Sequence, residues 1–392
     1  MANKVKVLLL LVILHGRCAT AFKCNSSRDC SLAGTCGANG VCICDGWTHG
    51  DRCEILNLLP AGSGASVASP GFGYLNASGF NSWGGAALPF NGQWYLFASQ
   101  MAGRCPLLGW WSLISEVVRG VADSPTGPFR EITTIVPSFA HNAKPFLAPD
   151  GTWLIYYVGQ KNNQTHRCAP LPNSIGYDPG RKTAGPIMVA AASRPDAPAE
   201  DWTHYGPLTD SYEFHSATNP SPVIFNNGSV LLAVSRWFLP TGTDRGGKRT
   251  VLMRSDSWKG PFRNVSATTT AAGSLPTGED PDLFRSTLRG HFHMLNHNTG
   301  PGSSRMWFSE DGISGWEEAQ GENAFNETVE FDNGTVIHVC QRQRPQIVFA
   351  EDGMPGWFWS GVMLPLNGVC PENDLHPAKN PTFTLVQAIG RR

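Results

Sequence analysis

The feature that most limits what this chain can become is a repeat. A polar residue beside a proline opens a short apolar run, a glycine turn follows, and a second apolar run returns. The clearest copies are His141-Asn142-Ala143-Lys144-Pro145 leading to Gly151-Thr152-Trp153, Asn219-Pro220-Ser221-Pro222 leading to Gly228-Ser229-Val230, and Glu279-Asp280-Pro281-Asp282 leading to Gly290-His291-Phe292. Fainter copies run from Trp83-Gly84-Gly85 to Gly92-Gln93-Trp94 and from Arg342-Gln343-Arg344-Pro345 to Gly353. Heads recur roughly 60 to 75 residues apart, enough for one four-stranded sheet per copy. Apolar runs at 94–98, 153–158, 230–234 and 291–295 read as second strands, and Asp123-Ser124-Pro125 to Phe129 is nearly repeated by Asp256-Ser257-Trp258 to Phe262. No helix-period segment of any length interrupts them. The expected fold is all-β, a five-bladed β-propeller, closed by pairing its N- and C-terminal segments because an open ring leaves two bare sheet edges.

Four segments are expected: 1–21 a signal peptide, 22–54 a cysteine-rich module, 55–75 a linker rich in Gly, Pro and Ser, and 76–392 the propeller. Lys4 and Lys6 precede an apolar stretch too short to span a bilayer, and Ala19-Thr20-Ala21 offers a cleavage pattern. The mature chain is therefore expected to be secreted and extracellular, without a transmembrane segment. Sequons at Asn25, Asn76, Asn163, Asn227, Asn264, Asn326 and Asn333 fit that route. A formal net charge of -1 argues against nucleic acid or an anionic membrane as partner.

Of the 11 cysteines, Cys18 leaves with the leader, and the even number remaining suits an oxidised chain. Six fall between Cys24 and Cys53. The run Cys42-Ile43-Cys44-Asp45-Gly46-Trp47, with Gly50 before Cys53, resembles an epidermal-growth-factor-like module. That resemblance implies the pairs Cys24–Cys36, Cys30–Cys42 and Cys44–Cys53, and a surface for an extracellular partner. A zinc site is the competing use of such spacing. The acidic segment that precedes the first cysteine in calcium-binding members is absent, so no calcium is expected there. Cys105, Cys168, Cys340 and Cys370 remain for two bridges; proximity favours Cys105–Cys168 and Cys340–Cys370, and all three pairings are open.

The heads His141-Asn142, Asn219-Pro220, Glu279-Asp280-Pro281 and Arg342-Gln343-Arg344-Pro345, with Met294-Leu295-Asn296-His297, resemble the five-bladed propeller glycoside hydrolases of the family 43 and 32 superfamily. In that superfamily the innermost strand of each blade lines a funnel holding an aspartate base in the first blade, an orienting aspartate and a glutamate acid. The first-blade match fails, because Trp83-Gly84-Gly85-Ala86 carries no carboxylate. What remains implies a catalytic set of Asp280, Glu279 and Asp282, with His141, Asn142, Asn219, His293, Arg342 and Arg344 contacting the substrate, no cofactor and no metal.

Period-two alternation puts Asp280 and Asp282 on one face and Glu279 on the other, and a like-charge pair over an apolar floor raises one pKa, as a general acid needs. Against these readings stand plainer ones. Asp280 caps a turn, Arg342 and Arg344 form structural ion pairs, His141, His215, His293 and His297 are satisfied structural histidines, and Trp83, Trp110, Trp111 and Trp237 are core rather than sugar platforms. Two function classes follow. One is a glycoside hydrolase acting on a glycan or polysaccharide, which the carboxylate cluster favours. The other is a non-catalytic glycan-binding propeller, which the missing first-blade aspartate favours.

Overall fold

A computed structural model of the chain describes residues 22–62, 80–159, 186–209, 217–238, 247–266, 276–297, 304–371 and 380–391. The expected leader, Asn76, Asn163, Cys168 and His215 lie outside these residues, as does the side chain of Trp237. The N-terminal module holds two small hairpins, β1 (Gly34–Cys36) with β2 (Cys42–Cys44) and β3 (Thr48–His49) with β4 (Ile55–Leu56). Its disulfides are Cys24–Cys36, Cys30–Cys42 and Cys44–Cys53.

Four antiparallel sheets of four strands follow in chain order. Blade one is β5 (Ser82–Phe90), β6 (Gln93–Met101), β7 (Ser115–Ala122) and β8 (Arg130–Val136). Blade two is β9 (Ala140–Leu147), β10 (Trp153–Gly159), β11 (Ile187–Ala192) and β12 (Thr203–Tyr205). Blade three is β13 (Thr218–Ile224), β14 (Val230–Phe238), β15 (Gly247–Ser255) and β16 (Arg263–Asn264). Blade four is β17 (Glu279–Arg285), β18 (Phe292–His297), β19 (Ser304–Ser309) and β20 (Glu317–Glu318). After a hairpin of β21 (Thr328–Glu330) and β22 (Val336–His338), blade five has three strands among the described residues, β23 (Gln341–Phe349), β24 (Pro355–Met363) and β25 (Thr382–Ala388). The chain is a five-bladed propeller, nearly all β, with one short α-helix, α1 (Trp111–Ile114), and 3-10 turns at Ala102–Arg104 and Ala199–Asp201 among the described residues.

The second strands explain why their sequences read as unbroken apolar runs rather than alternating ones. Each lies between two neighbouring blades, so both of its faces are covered; β10 is buried from Trp153 to Gly159. Five seams result. Tyr95 and Phe97 meet Trp153 and Ile155, Leu154 and Tyr156 meet Val230 and Leu232, and Leu231 and Ala233 meet Phe292 and Met294. Phe284 and Leu295 meet Ile347 and Phe358, and Val348 and Trp359 close the ring against Leu96 and Ala98.

Blade five gains its outer edge from the segment that follows the module. Leu58 bridges Ile389, the Leu59 amide donates to the Ala388 carbonyl at 2.9 Å, and Ala61 bridges Phe331. Residues 55–61, read from composition as linker, thus carry ladder bonds. The module itself wedges into the seam between blades four and five. Trp47, 1% exposed, lies 5.7 Å from Phe284 and 5.1 Å from His293 between ring centroids. Full burial of a side chain this large contributes about 3 kcal/mol. Arg289 grips Asp45 at 2.6 Å, and Arg28 reaches Glu310 and Glu317 at 2.6 and 2.7 Å. Cys340 bridges Cys370, and Cys105 is disulfide-bonded; its expected partner, Cys168, lies outside the described residues.

Candidate functional site

Each innermost strand carries the same local irregularity. Two of its residues stand opposite one residue of the second strand: Gly84 and Gly85 opposite Ala98, Asn142 and Ala143 opposite Tyr157, Asn219 and Pro220 opposite Val234, Asp280 and Pro281 opposite Asn296, Arg344 and Pro345 opposite Ser360. The first residue of every pair is left-handed, with φ of 63°, 59°, 58°, 59° and 57° in chain order. Such bulges re-aim a side chain, and five of them turn the heads toward the propeller axis. A left-handed conformation costs an L-residue roughly 1–2 kcal/mol, less for Asn and Asp, so four non-glycine heads hold strain where the five blades converge.

Four of the five heads form one bonded chain. Asn142 Nδ2 donates to Asn219 Oδ1, Asn219 Nδ2 donates to Asp280 Oδ1 at 2.6 Å, and Arg344 Nη1 donates to the same Asp280 oxygen. The Arg344 amide reaches Asp280 Oδ2 at 3.2 Å, and the Asp280 amide donates to Ser235 Oγ at 3.1 Å. The fifth position, Gly84, offers no side chain, and a β-carbon there would lie 2.8 Å from that of Arg344. The Arg344 stem therefore fills the first-blade place.

Two residues further along each inner strand lies a second tier: Ala86, Lys144, Ser221, Asp282 and Gln346. Lys144 Nζ pairs with Asp282 Oδ1 at 2.8 Å and reaches the Pro281 carbonyl at 3.2 Å, while the Ile347 amide donates to Asp282 Oδ2 at 2.7 Å. The cavity at the heads is about 30 Å3, lined by all five of them with Lys144 and Gln346 of the second tier. That is room for water and not for a sugar ring.

Across the bulge at Asp280-Pro281, Asp280 lies in the first tier and Asp282 in the second. Glu279 turns to Lys248, with its other oxygen 3.5 Å from Asn219 Nδ2. Asp280 is not the acid of a like-charge pair. Burial alone would raise its carboxyl, but Arg344, His297 and Lys248 together hold it well below the usual carboxylate range. Burial does raise Asp282, opposed by Lys144 and the Ile347 amide.

His297 Nδ1 lies 3.4 Å from Asp280 Oδ2. That is longer than a good hydrogen bond, and Nδ1 has no hydrogen-bond partner among the described residues.

His141 sits beside the bonded heads, 1% exposed, with Nδ1 2.7 Å from Ser115 Oγ and its imidazole 5.0 Å from Trp111. Burial, and after it the charge of Arg344, lowers its pKa and keeps it neutral.

Two expected substrate contacts lie elsewhere. His293 is fully buried in the seam under the module, facing the Ser31 carbonyl at 3.1 Å, because residue 293 pairs with Phe284, four positions past the head. Arg342 points away from Arg344, bonds Asn326 O, Gln387 Oε1 and Ser360 Oγ, and packs over Phe358. Trp83 and Trp110 are core; Trp111 is half-buried.

Lys144 and Lys248 escaped the sequence reading. Lys144 had a signal, since it stands two residues after its head as Asp282 does after Asp280. Lys248 comes from a third strand and had none.

No family profile matches the sequence, and neither does the sequence of a curated protein. Solved structures do match in fold. A family 117 glycoside hydrolase of the marine bacterium Zobellia galactanivorans superposes with a TM-score of 0.53 at 15% identity, over 81% of this chain and 87% of that one. The catalytic domain of the family 62 α-L-arabinofuranosidase of Coprinopsis cinerea gives 0.52 at 11% identity, over 88% and 97%. A family 62 hydrolase in complex with xylotriose gives 0.51 at 11%, over 78% and 91%. The chain has the five-bladed propeller fold of these glycoside hydrolases.

Proposed function

We propose that the protein is a glycoside hydrolase that holds a glycan at the head face of the channel, with chemistry rearranged around Asp280. The observation that carries this reading is the Asp280–His297 pair, an ionised carboxylate fixed by Arg344 and Asn219 facing an imidazole at the end of β18. A carboxylate on one ring nitrogen orients the imidazole, leaving the other nitrogen to exchange a proton with the glycosidic oxygen. Glu279, in the same corner, supplies the second carboxylate of a hydrolytic pair. Asp282, sealed by Lys144, supports the heads from beneath. The disulfides favour an oxidising, extracellular setting, and no helix among the described residues is long and apolar enough to cross a membrane.

A second reading, glycan binding without cleavage, is favoured by Gly84, where the Arg344 stem stands in place of a first-blade carboxylate. The two separate on a panel of plant, algal and animal polysaccharides that includes arabinoxylan and xylan, suggested by the arabinofuranosidase and the xylotriose-bound hydrolase of the same fold. Hydrolysis predicts new reducing ends and a loss of roughly a hundredfold in turnover for His297→Gln and for Glu279→Gln at unchanged Tm. Glycan affinity without reducing ends, unaltered by His297→Gln, leaves the binding reading standing.

A further inference from the structure

The five seams can be compared at one position, where the second strand of one blade meets that of the next just after the glycine turn. Counted from the bulge, the facing pairs are Tyr95 with Trp153, Leu154 with Val230, Leu231 with Phe292, His293 with Gly356, and Trp357 with Trp94. In the first four seams none of the side chains exceeds 5% exposure. At the fifth seam two indoles remain half-buried, whereas the one indole of the other pairs, Trp153, is 1% exposed. The module covers the neighbouring seam through Ser31 and Trp47.

The indoles lie 4.7 Å apart at 69°, an angled platform at the side of a cleft of about 720 Å3. Its rim is polar. Asp352 is paired with Arg391, and Glu351 adds an exposed carboxylate, so the cleft has donors and acceptors for hydroxyls and a net negative balance that opposes anionic ligands. Half-open indole faces with hydroxyl-binding groups around them fit the apolar face of a pyranose.

We infer that this cleft is a second carbohydrate site, holding a neutral glycan chain on Trp94 and Trp357 apart from the channel. The inference rests on the reading of the substrate as a glycan, and deepens it. It places a longer chain in contact with the protein at a point remote from bond cleavage.

The test is calorimetric binding of xylohexaose, cellohexaose and laminarihexaose to the His297→Gln protein, whose affinity does not depend on turnover, so an inactive channel leaves the result readable. At least one hexasaccharide binds, and Trp94→Leu with Trp357→Leu weakens it about tenfold or more while the seam stays apolar. Trp94→Phe with Trp357→Phe, which spares the fold further, weakens it about threefold. Absence of binding by all three sugars, affinity unchanged in both pairs of variants, or a loss produced only by Lys248→Ala at the channel mouth would overturn the inference.

Discussion

Gly84 and Arg344 adjoin where blade five meets blade one, with no space between them, and the backbone at 84 has φ 63°. Alanine there meets both a steric and a conformational obstacle, so Gly84→Ala should cost about 1–3 kcal/mol, measured as a lower midpoint in urea. Arg344→Gly removes the obstacle but leaves the buried Asp280 charge without its guanidinium, itself a loss of about 3 kcal/mol. The double variant should therefore be less destabilised than the sum of the singles, and strict additivity would show that the stem does not fill the first-blade place. The same pair explains why the site was only partly legible. Asp280 and the heads beside Pro220, Pro281 and Pro345 announce themselves by type and position. That an arginine from blade five substitutes for a side chain missing from blade one depends on ring closure, which no local pattern encodes.

Among elements, the bulge and the module account for most of what sequence patterning did not reach. A one-residue bulge re-aims Asp280 toward the axis, and its residues carry no mark beyond a following proline. The module read as a separate unit because its cysteine spacing is self-sufficient, yet Trp47, Leu32 and Leu56 complete a seam of the propeller. Trp47→Ala should therefore lower the melting of the whole molecule by about 3–5 kcal/mol in a single transition rather than detach a module that melts alone.

His293 adds a pH dependence to that joint. Burial lowers its pKa to about 4, opposed by the Ser31 carbonyl, with Asp45, Arg289 and His291 as the nearby charged or titratable groups. The unfolded chain binds the proton first, near pH 6.5, so stability falls as pH drops from about 6.5 and the loss is complete near 4. His293→Gln, which keeps a donor toward Ser31, should flatten Tm over that interval by the equivalent of up to about 3 kcal/mol. Parallel slopes for the two proteins would remove His293 as the cause.

At the scale of the molecule, the five-bladed architecture was legible because each blade repeats its head, turn and second strand, and because two-sided burial leaves unbroken apolar runs. The closure was legible only as a necessity. Its actual form, Leu58 and Leu59 laid along the fifth blade, joins residues more than three hundred positions apart, beyond the reach of any pattern within a window. One consequence concerns the order in which the chain is made. Leu58 and Leu59 leave the ribosome early, but their partners Ala388 and Ile389 belong to the final segment, so the first-made edge waits for nearly the whole of synthesis. Four blades can stack as they emerge, while the ring locks only at the last strand. Ribosome-bound chains halted before residue 382 should be cut by a protease within residues 57–61, and chains released at full length should resist cutting there.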